Sequence, residues 1–225
     1  MEVANELMLR GIVVGVFQEN CWVIGSRRTG EGLCIDPGDQ PDEILALARD
    51  IGVNIKLIVN SHAHIDHILG VRGVKNSTNA QFLLHPSDLT LAAEGWKMAG
   101  RMLGYTPEAP PPPDAALAEG DVVEAGGVRL RVIHSPGHTA GSVSFYCEDA
   151  GALFSGDTLF QGSIGRTDLP GGDYQQEMNS IVDRLLTLPD ETIVLPGHMQ
   201  ETTIGRERQS NPFVLQELQR RRLAP

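Results

Sequence analysis

Apolar positions along the chain come in short runs whose period changes several times. Between Leu9 and Asp36 the segments LRGIVVGVF, CWVIG and GLCID are apolar-rich and separated by polar or glycine-bearing breaks, which predicts three strands. The period then lengthens. Ile44, Leu45, Leu47, Ala48 and Ile51 share one helical face, Pro41 suits the first helical position and Gly52 ends the run. IKLIV (Ile55 to Val59) is an apolar run around Lys56 and predicts a buried strand. From Ile68 to about Gly104 the pattern mixes helix with one strand, QFLLH. TPEAPPPPDAA, from Thr106 to Ala116, predicts an exposed loop and a candidate wall of a site, because four consecutive prolines fix φ and remove backbone donors.

The second half repeats the sequence of periods. Gly126-Gly127 separates two runs, and Val128, Leu130 and Val132 alternate with Arg129 and Arg131, which predicts a hairpin. SVSFYC and ALFSGD are two more strands. In GDYQQEMNSIVDRLLTLP, Met178, Ile181, Val182, Leu185 and Leu186 form a helical stripe, with Asp173 as cap. TIVLPGH is a late strand, and NPFVLQELQRRRL a closing helix at about 211–223, with Asn211 as cap and Pro212 in its first turn. Two halves that each give strands and then helices predict an α/β layered architecture: two sheets packed together, helices outside. A length of 225 residues fits one domain over 1–225.

Composition narrows the function classes. The net charge of −11 opposes nucleic-acid binding, which needs basic patches. The one basic cluster, Arg220 to Arg222, suits a solvated helix end. No apolar run reaches the roughly 18 residues of a membrane span, and the N-terminus lacks a signal-peptide pattern. Three scattered cysteines, Cys21, Cys34 and Cys147, argue against a disulfide framework and for a cytoplasmic protein.

The chemistry concentrates at strand ends. NSHAHIDHILG places His62, His64, Asp66 and His67 directly after the IKLIV strand. SPGHTAG, FSGDT and LPGHMQ place His138, Asp157 and His198 after later apolar runs, each preceded by a glycine that lets the backbone turn. A lone histidine is usually structural and an aspartate after glycine is usually a turn residue. The run at 62–67 differs, because burying it without a cation would leave several polar groups unsatisfied. Seven nitrogen and carboxylate donors exceed one tetrahedral ion. Two ions would use them all: His62, His64 and His138 on one, Asp66, His67 and His198 on the other, and Asp157 bridging. Donors without thiolate suit zinc first, with iron or manganese as alternatives. His85 and His134 read as structural, the latter near the site. Asp36, at the end of GLCID, is either a turn residue or the group that orients a ligand histidine.

HAHIDH, SPGHTAGS, FSGDTLF and LPGH, in this order, resemble the metallo-β-lactamase superfamily. The resemblance implies an αββα sandwich with a metal centre at one edge of the two sheets. GDTLFQGSIGRTDLPGGD with IGRERQSNPF resembles, within it, the short bacterial glyoxalase II-like (hydroxyacylglutathione) hydrolases. This implies hydrolysis of a small-molecule thioester such as S-D-lactoylglutathione by metal-bound hydroxide, with Asp66 orienting the hydroxide. It also implies that Arg166 contacts the glutathione half; the alternative is an arginine paired with Asp168 or Asp173. The chain departs from longer members in having about 25 residues after His198, Gln200 in place of a tyrosine, and Asp168 in place of an aromatic residue. Mononuclear iron persulfide dioxygenases carry similar motifs and are the rival expectation, followed by hydrolysis of another ester or a lactam.

Overall fold

The computed structural model describes residues 6–104 and 107–223. Residues 1–5 and the start of the proline-rich loop at Thr106 lie outside the described residues. Two six-stranded mixed sheets carry the architecture. The first contains β1 (Leu7–Val14), β2 (Glu19–Ser26), β3 (Glu31–Ile35), β4 (Asn54–Val59), β5 (Gln81–Leu84) and β6 (Ala115–Ala116), in that order. The second contains β7 (Val122–Ala125), β8 (Val128–His134), β9 (Val143–Cys147) and β10 (Ala152–Gly156), then, beyond the ribbon of β11 (Leu159–Phe160) and β12 (Ser163–Ile164), β13 (Ile193–Pro196) and β14 (Thr202–Thr203). Its spatial order is β14-β13-β10-β9-β8-β7, with β10 and β13 parallel. The helices are α1 (Pro41–Asp50), α2 (Ile65–Ile68), α3 (Val71–Thr78), α4 (Leu89–Leu103), α5 (Tyr174–Asp183), α6 (Ile204–Ser210) and α7 (Pro212–Leu223).

Strand periodicity builds three apolar layers from these two sheets. Successive side chains point to opposite faces, so a strand covered on both sides must be apolar at both parities. In β3, Leu33 and Ile35 join Val59, Val132, Phe145 and Phe154 between the sheets, whereas Cys34 turns outward. The outward residues Val23, Cys34, Ile58 and Phe82 pack beneath α1 and α3 with Ile44, Val71 and Val74. On the other side Leu153 and Val194 meet Met178, Ile181, Ile204 and Val214 from α5, α6 and α7, and Leu185 just after α5. The result is the αββα sandwich expected from the sequence.

The expected caps are present: Asp173 accepts from the Gln176 amide at 2.9 Å, and Asn211 from the Phe213 amide at 3.0 Å. The hairpin turn has φ of 61° and 97° at Gly126 and Gly127. Four readings need correction. The first strand spans Leu7–Val14 and stops before Phe17. The α5 helix ends at Asp183 and a separate 3-10 turn holds Leu185 to Thr187. A helix at Ile204–Ser210 was not expected. The end of the proline-rich segment is not loop, because Ala115 and Ala116 pair in parallel with Leu83 and Leu84. Asp114 fixes that pairing by accepting from the Phe82 amide at 2.7 Å, and Ala109 accepts from Arg72 at 2.7 Å, so the segment is tied to α3 and the sheet edge. Among the described residues no helix is long and apolar enough to cross a membrane.

Phe145 is fully buried between the sheets. Phe145→Ala should lower stability by about 3–5 kcal/mol, read as a drop in the urea midpoint with little change in slope. A loss below about 1 kcal/mol would show that the sheets close the gap at small cost.

Candidate metal centre

Four strands deliver the chemistry to one edge. Directly beyond β4 come Ser61 and His62, beyond β8 His138, beyond β10 Asp157 and beyond β13 His198. The two sheets are joined there, because the Val143 amide donates to the Ser61 carbonyl at 2.8 Å and the Asn20 amide to the Gly197 carbonyl at 2.7 Å. Gly156 takes φ of +51°, and a Cβ on it would lie 2.4 Å from Ser61 Oγ, so the ends of β4 and β10 approach only through glycine. Gly137 also has positive φ, at +146°. Gly197 serves differently from the expected turn: a Cβ there would strike Asp157 Oδ1 at 2.5 Å and His67 Cε1 at 2.6 Å. Its role is room for two donors.

All seven expected donors meet. The rings of His62, His64 and His138 form a triangle with centroid separations of 4.8, 4.7 and 4.6 Å. Asp66 Oδ2 lies 3.1 Å from His198 Nε2, and the His67 and His198 rings are 5.3 Å apart. Asp157 stands between the two groups, 3.6 Å from His138 Nε2, 3.4 Å from His67 Nε2 and 3.6 Å from His198 Nε2. Within each group of three, His62–His64–His138 and Asp66–His67–His198, one ligand atom per residue lies within 4.8 Å of the others.

These residues fit divalent cations. His62 Nε2, His67 Nε2 and Asp157 Oδ1 are buried with no hydrogen-bond partner among the described residues. Leaving such atoms unpaired costs free energy that coordination would remove. The cysteines are buried elsewhere, Cys21 and Cys34 side by side at 3.6 Å in the core under α1, so the donor set stays nitrogen and oxygen.

The two groups differ electrostatically. Burial and the neighbouring His67 push the His62 imidazole well below its ordinary pKa. Burial and His138 push His64 down to about 4. At His67 burial acts in the same direction, but Asp157, Asp36 and Asp66 outweigh it and hold the ring protonated well above its usual range. At His198 burial is likewise outweighed, by Asp66 and Asp157, and the pKa rises. Burial opposes the charge on Asp66 and Asp157, yet the histidines hold both carboxylates below their ordinary pKa.

Surrounding groups fix the donors in place. Asp36 accepts from the Ser61 amide and hydroxyl, both at 2.6 Å, and approaches His67 Nδ1 at 3.2 Å. Ser61 Oγ reaches His62 Nδ1 at 3.0 Å. His138 Nδ1 donates to the Arg166 carbonyl at 2.8 Å, which leaves Nε2 facing Asp157. The Arg166 guanidinium is exposed and bidentate on Asp168, with both contacts 2.8 Å. His85 and His134 stack with centroids 4.3 Å apart, outside the cluster, and His134 Nε2 donates to the Ala140 carbonyl at 3.1 Å in the loop of His138.

Sequence reasoning missed three supports. Asp88 is buried and accepts from the Ala63 amide, the Thr139 hydroxyl and the Gly141 amide at 3.0, 2.8 and 2.8 Å. Asn60 donates to the His67 carbonyl at 2.6 Å. Glu19 is fully buried 3.9 Å from His67, and burial raises its pKa well above normal. None carried a local signal, since each acts on a segment distant in sequence or through the backbone.

Metal loading should therefore depend on pH unequally. A cation at His62, His64 and His138 meets two rings whose pKa is lowered, whereas one at Asp66, His67 and His198 competes with protons on two histidines whose pKa is raised. Protein loaded with zinc at pH 8 should hold about two ions per chain, and dialysis at pH 6 should remove the second group's ion first, leaving about one. Elemental analysis across this range checks it, and simultaneous loss of both ions would refute the inequality.

A family model described as the Metallo-beta-lactamase superfamily matches residues 14–198. An uncharacterized protein of Aquifex aeolicus (strain VF5) is 39% identical over 208 residues, covering 92% of this chain and 97% of its own length. Hydroxyacylglutathione hydrolase GloC of Haemophilus influenzae is 33% identical over 209 residues, covering 90% and 96%. Among solved structures, the B3 metallo-beta-lactamase BLEG-1 matches with a TM-score of 0.86 at 35% identity, over 92% of this chain and 99% of its own. TTHA1623 in a di-iron-bound form gives 0.82 at 39% identity, over 91% and 99%. ETHE1 from Myxococcus xanthus gives 0.76 at 25% identity, over 96% and 92%. A family match that runs through all seven clustered donors, with relatives similar over nine-tenths of both chains, makes this chain a member of the metallo-β-lactamase superfamily.

Proposed function

We propose that the chain is a metal-dependent hydrolase of thioesters, of the hydroxyacylglutathione type, working as one domain. The observation that carries this reading is the pair of donor groups meeting at Asp157. The name of the Haemophilus relative supports the substrate class. His62, His64 and His138 would hold one cation, Asp66, His67 and His198 a second, and Asp157 both. Such ions, zinc first in this reading, supply a Lewis acid and lower the pKa of a bound water from roughly 15.7 toward about 7.

The side chains then divide the work. Asp66 is part-exposed and keeps its carboxylate charged, so it can accept a proton contact from the attacking water and orient it. Asp36 and Ser61 keep His62 and His67 in register. The leaving thiol has an ordinary pKa of roughly 8.5 and departs as thiolate without a strong general acid. Arg166 would anchor a carboxylate of the thiol half. Its fork already holds Asp168, so the substrate must compete with an internal ion pair, and binding of glutathione should be weak.

The likeness to ETHE1 keeps a persulfide dioxygenase as the second reading. Under anaerobic conditions the metal-loaded protein should release free thiol from S-D-lactoylglutathione, and glutathione persulfide should cause no catalytic oxygen uptake. Oxygen consumption with no thioester cleavage would replace the hydrolase reading with the dioxygenase one. Arg166→Ala should raise KM for glutathione thioesters about three- to fivefold with kcat nearly unchanged, the size of an exposed ion pair. A thioester with no carboxylate on its thiol half should be spared. Equal losses on both would make Arg166 structural.

A further inference from the structure

Between α4 and the loops that follow His138 and Arg166 lies a groove of about 410 Å³, a size within the range of small-ligand pockets. Its walls include Leu91, Glu94 and Gly95 of α4, Thr139 and Ala140 directly after His138, and Pro170 of the loop that follows Arg166. Two chain neighbours of the donors link the groove to the metal centre. Thr139 is the residue after His138. Ile65, between His64 and Asp66, faces Gly95, since a Cβ added to Gly95 would lie 3.6 Å from Ile65 Cγ2.

Its polarity is the second observation. No cationic side chain lines the groove among the described residues. Asp88 reaches it, but both carboxylate oxygens are spent on the Ala63 and Gly141 amides and the Thr139 hydroxyl. Glu94 sits exposed and pairs with Lys97 at 2.6 Å. An anionic group such as a glutathione carboxylate would find no partner here and two acids nearby. An uncharged aliphatic chain would meet Leu91, Pro170 and the methyl groups of Thr139 and Ala140.

Gly95 is the third observation. Glycine inside a helix costs stability relative to alanine. Packing does not require it here, because the nearest atoms to an added Cβ, Ile65 Cγ2 at 3.6 Å and Leu91 Cδ1 at 3.7 Å, are at ordinary contact distance. Gly95 lines the groove without a side chain of its own.

We propose that this groove seats the acyl half of the substrate, and that it selects an uncharged aliphatic acyl chain longer than lactoyl, with Gly95 setting the width. The proposal rests on the thioester reading above, with Arg166 directed to the thiol half and the groove to the other.

The test uses the metal-loaded full-length protein and N-acetylcysteamine thioesters from acetyl to hexanoyl. Each buried methylene is worth up to about fourfold in kcat/KM, so hexanoyl should exceed acetyl by at least about tenfold. Gly95→Phe should bring the hexanoyl-to-acetyl ratio close to one, whatever its absolute rates, while Gly95→Ala should keep most of the ratio. Circular dichroism confirms that each variant is folded. Calorimetric binding of hexanamide against acetamide gives a readout without turnover, and the preference for hexanamide should vanish in Gly95→Phe. A flat acyl series and equal binding of the two amides would overturn the groove while leaving thioester hydrolysis standing. So would a Gly95→Phe variant that keeps the wild-type ratio. If no thioester is cleaved but hexanamide is still preferred through Gly95, the thioester reading fails and the groove stands as an acyl site for another carbonyl substrate.

Discussion

The structure depends on one constraint: His62 Nε2, His67 Nε2 and Asp157 Oδ1, at the shared edge of the sheets, are buried without a hydrogen-bond partner among the described residues. Buried polar groups are normally satisfied, and a fold that leaves several together reserves them for something else. Here they face one another within ligand range, with Asp157 between the two groups. The glycines at 156 and 197, the Asp36–Ser61 pair and the Asp88 contacts all serve to bring these atoms together and hold them.

That arrangement also divides the site. His62 and His64 are surrounded mainly by other histidines and by apolar burial, so their neutral forms win. His67 and His198 are surrounded by carboxylates, which raise their pKa despite burial. The two halves of one centre therefore differ in how strongly protons compete with metal, a consequence of where Asp66, Asp157 and Asp36 sit.

Function beyond the metal centre is written in the loops. The strands fix the ligands, and α4 with the segments after His138 and Arg166 lines the groove. An exposed Arg166–Asp168 fork and a groove beside Gly95 with no cationic wall among the described residues differ in chemistry.

Much of this was legible in the chain. Strands covered on both faces had to be apolar at both parities, so IKLIV and ALFSGD announced buried strands, and the change of period announced α1 and α5. The seven donors stood out because each follows an apolar run, and the caps at Asp173 and Asn211 were readable from local chemistry. The α6 helix was not readable, because IGRERQS has too few apolar positions to show a period, and its stability comes from Ile204 buried against Leu185 and Val194. Ala115 and Ala116 joined a sheet because Asp114 pins the neighbouring backbone, not because of their own propensity. By itself the sequence determined which residues are ligand-like and which segments are strands, since periodicity and donor chemistry are local. Only the tertiary structure brought Asp157 within 3.6 Å of both groups, chose between the two readings of Asp36, paired Arg166 with Asp168 and placed Asp88 and Glu19 behind the ligands. Those are contacts across up to about a hundred residues or through solvent-facing rotamers, and no local pattern encodes the distance between two chain segments.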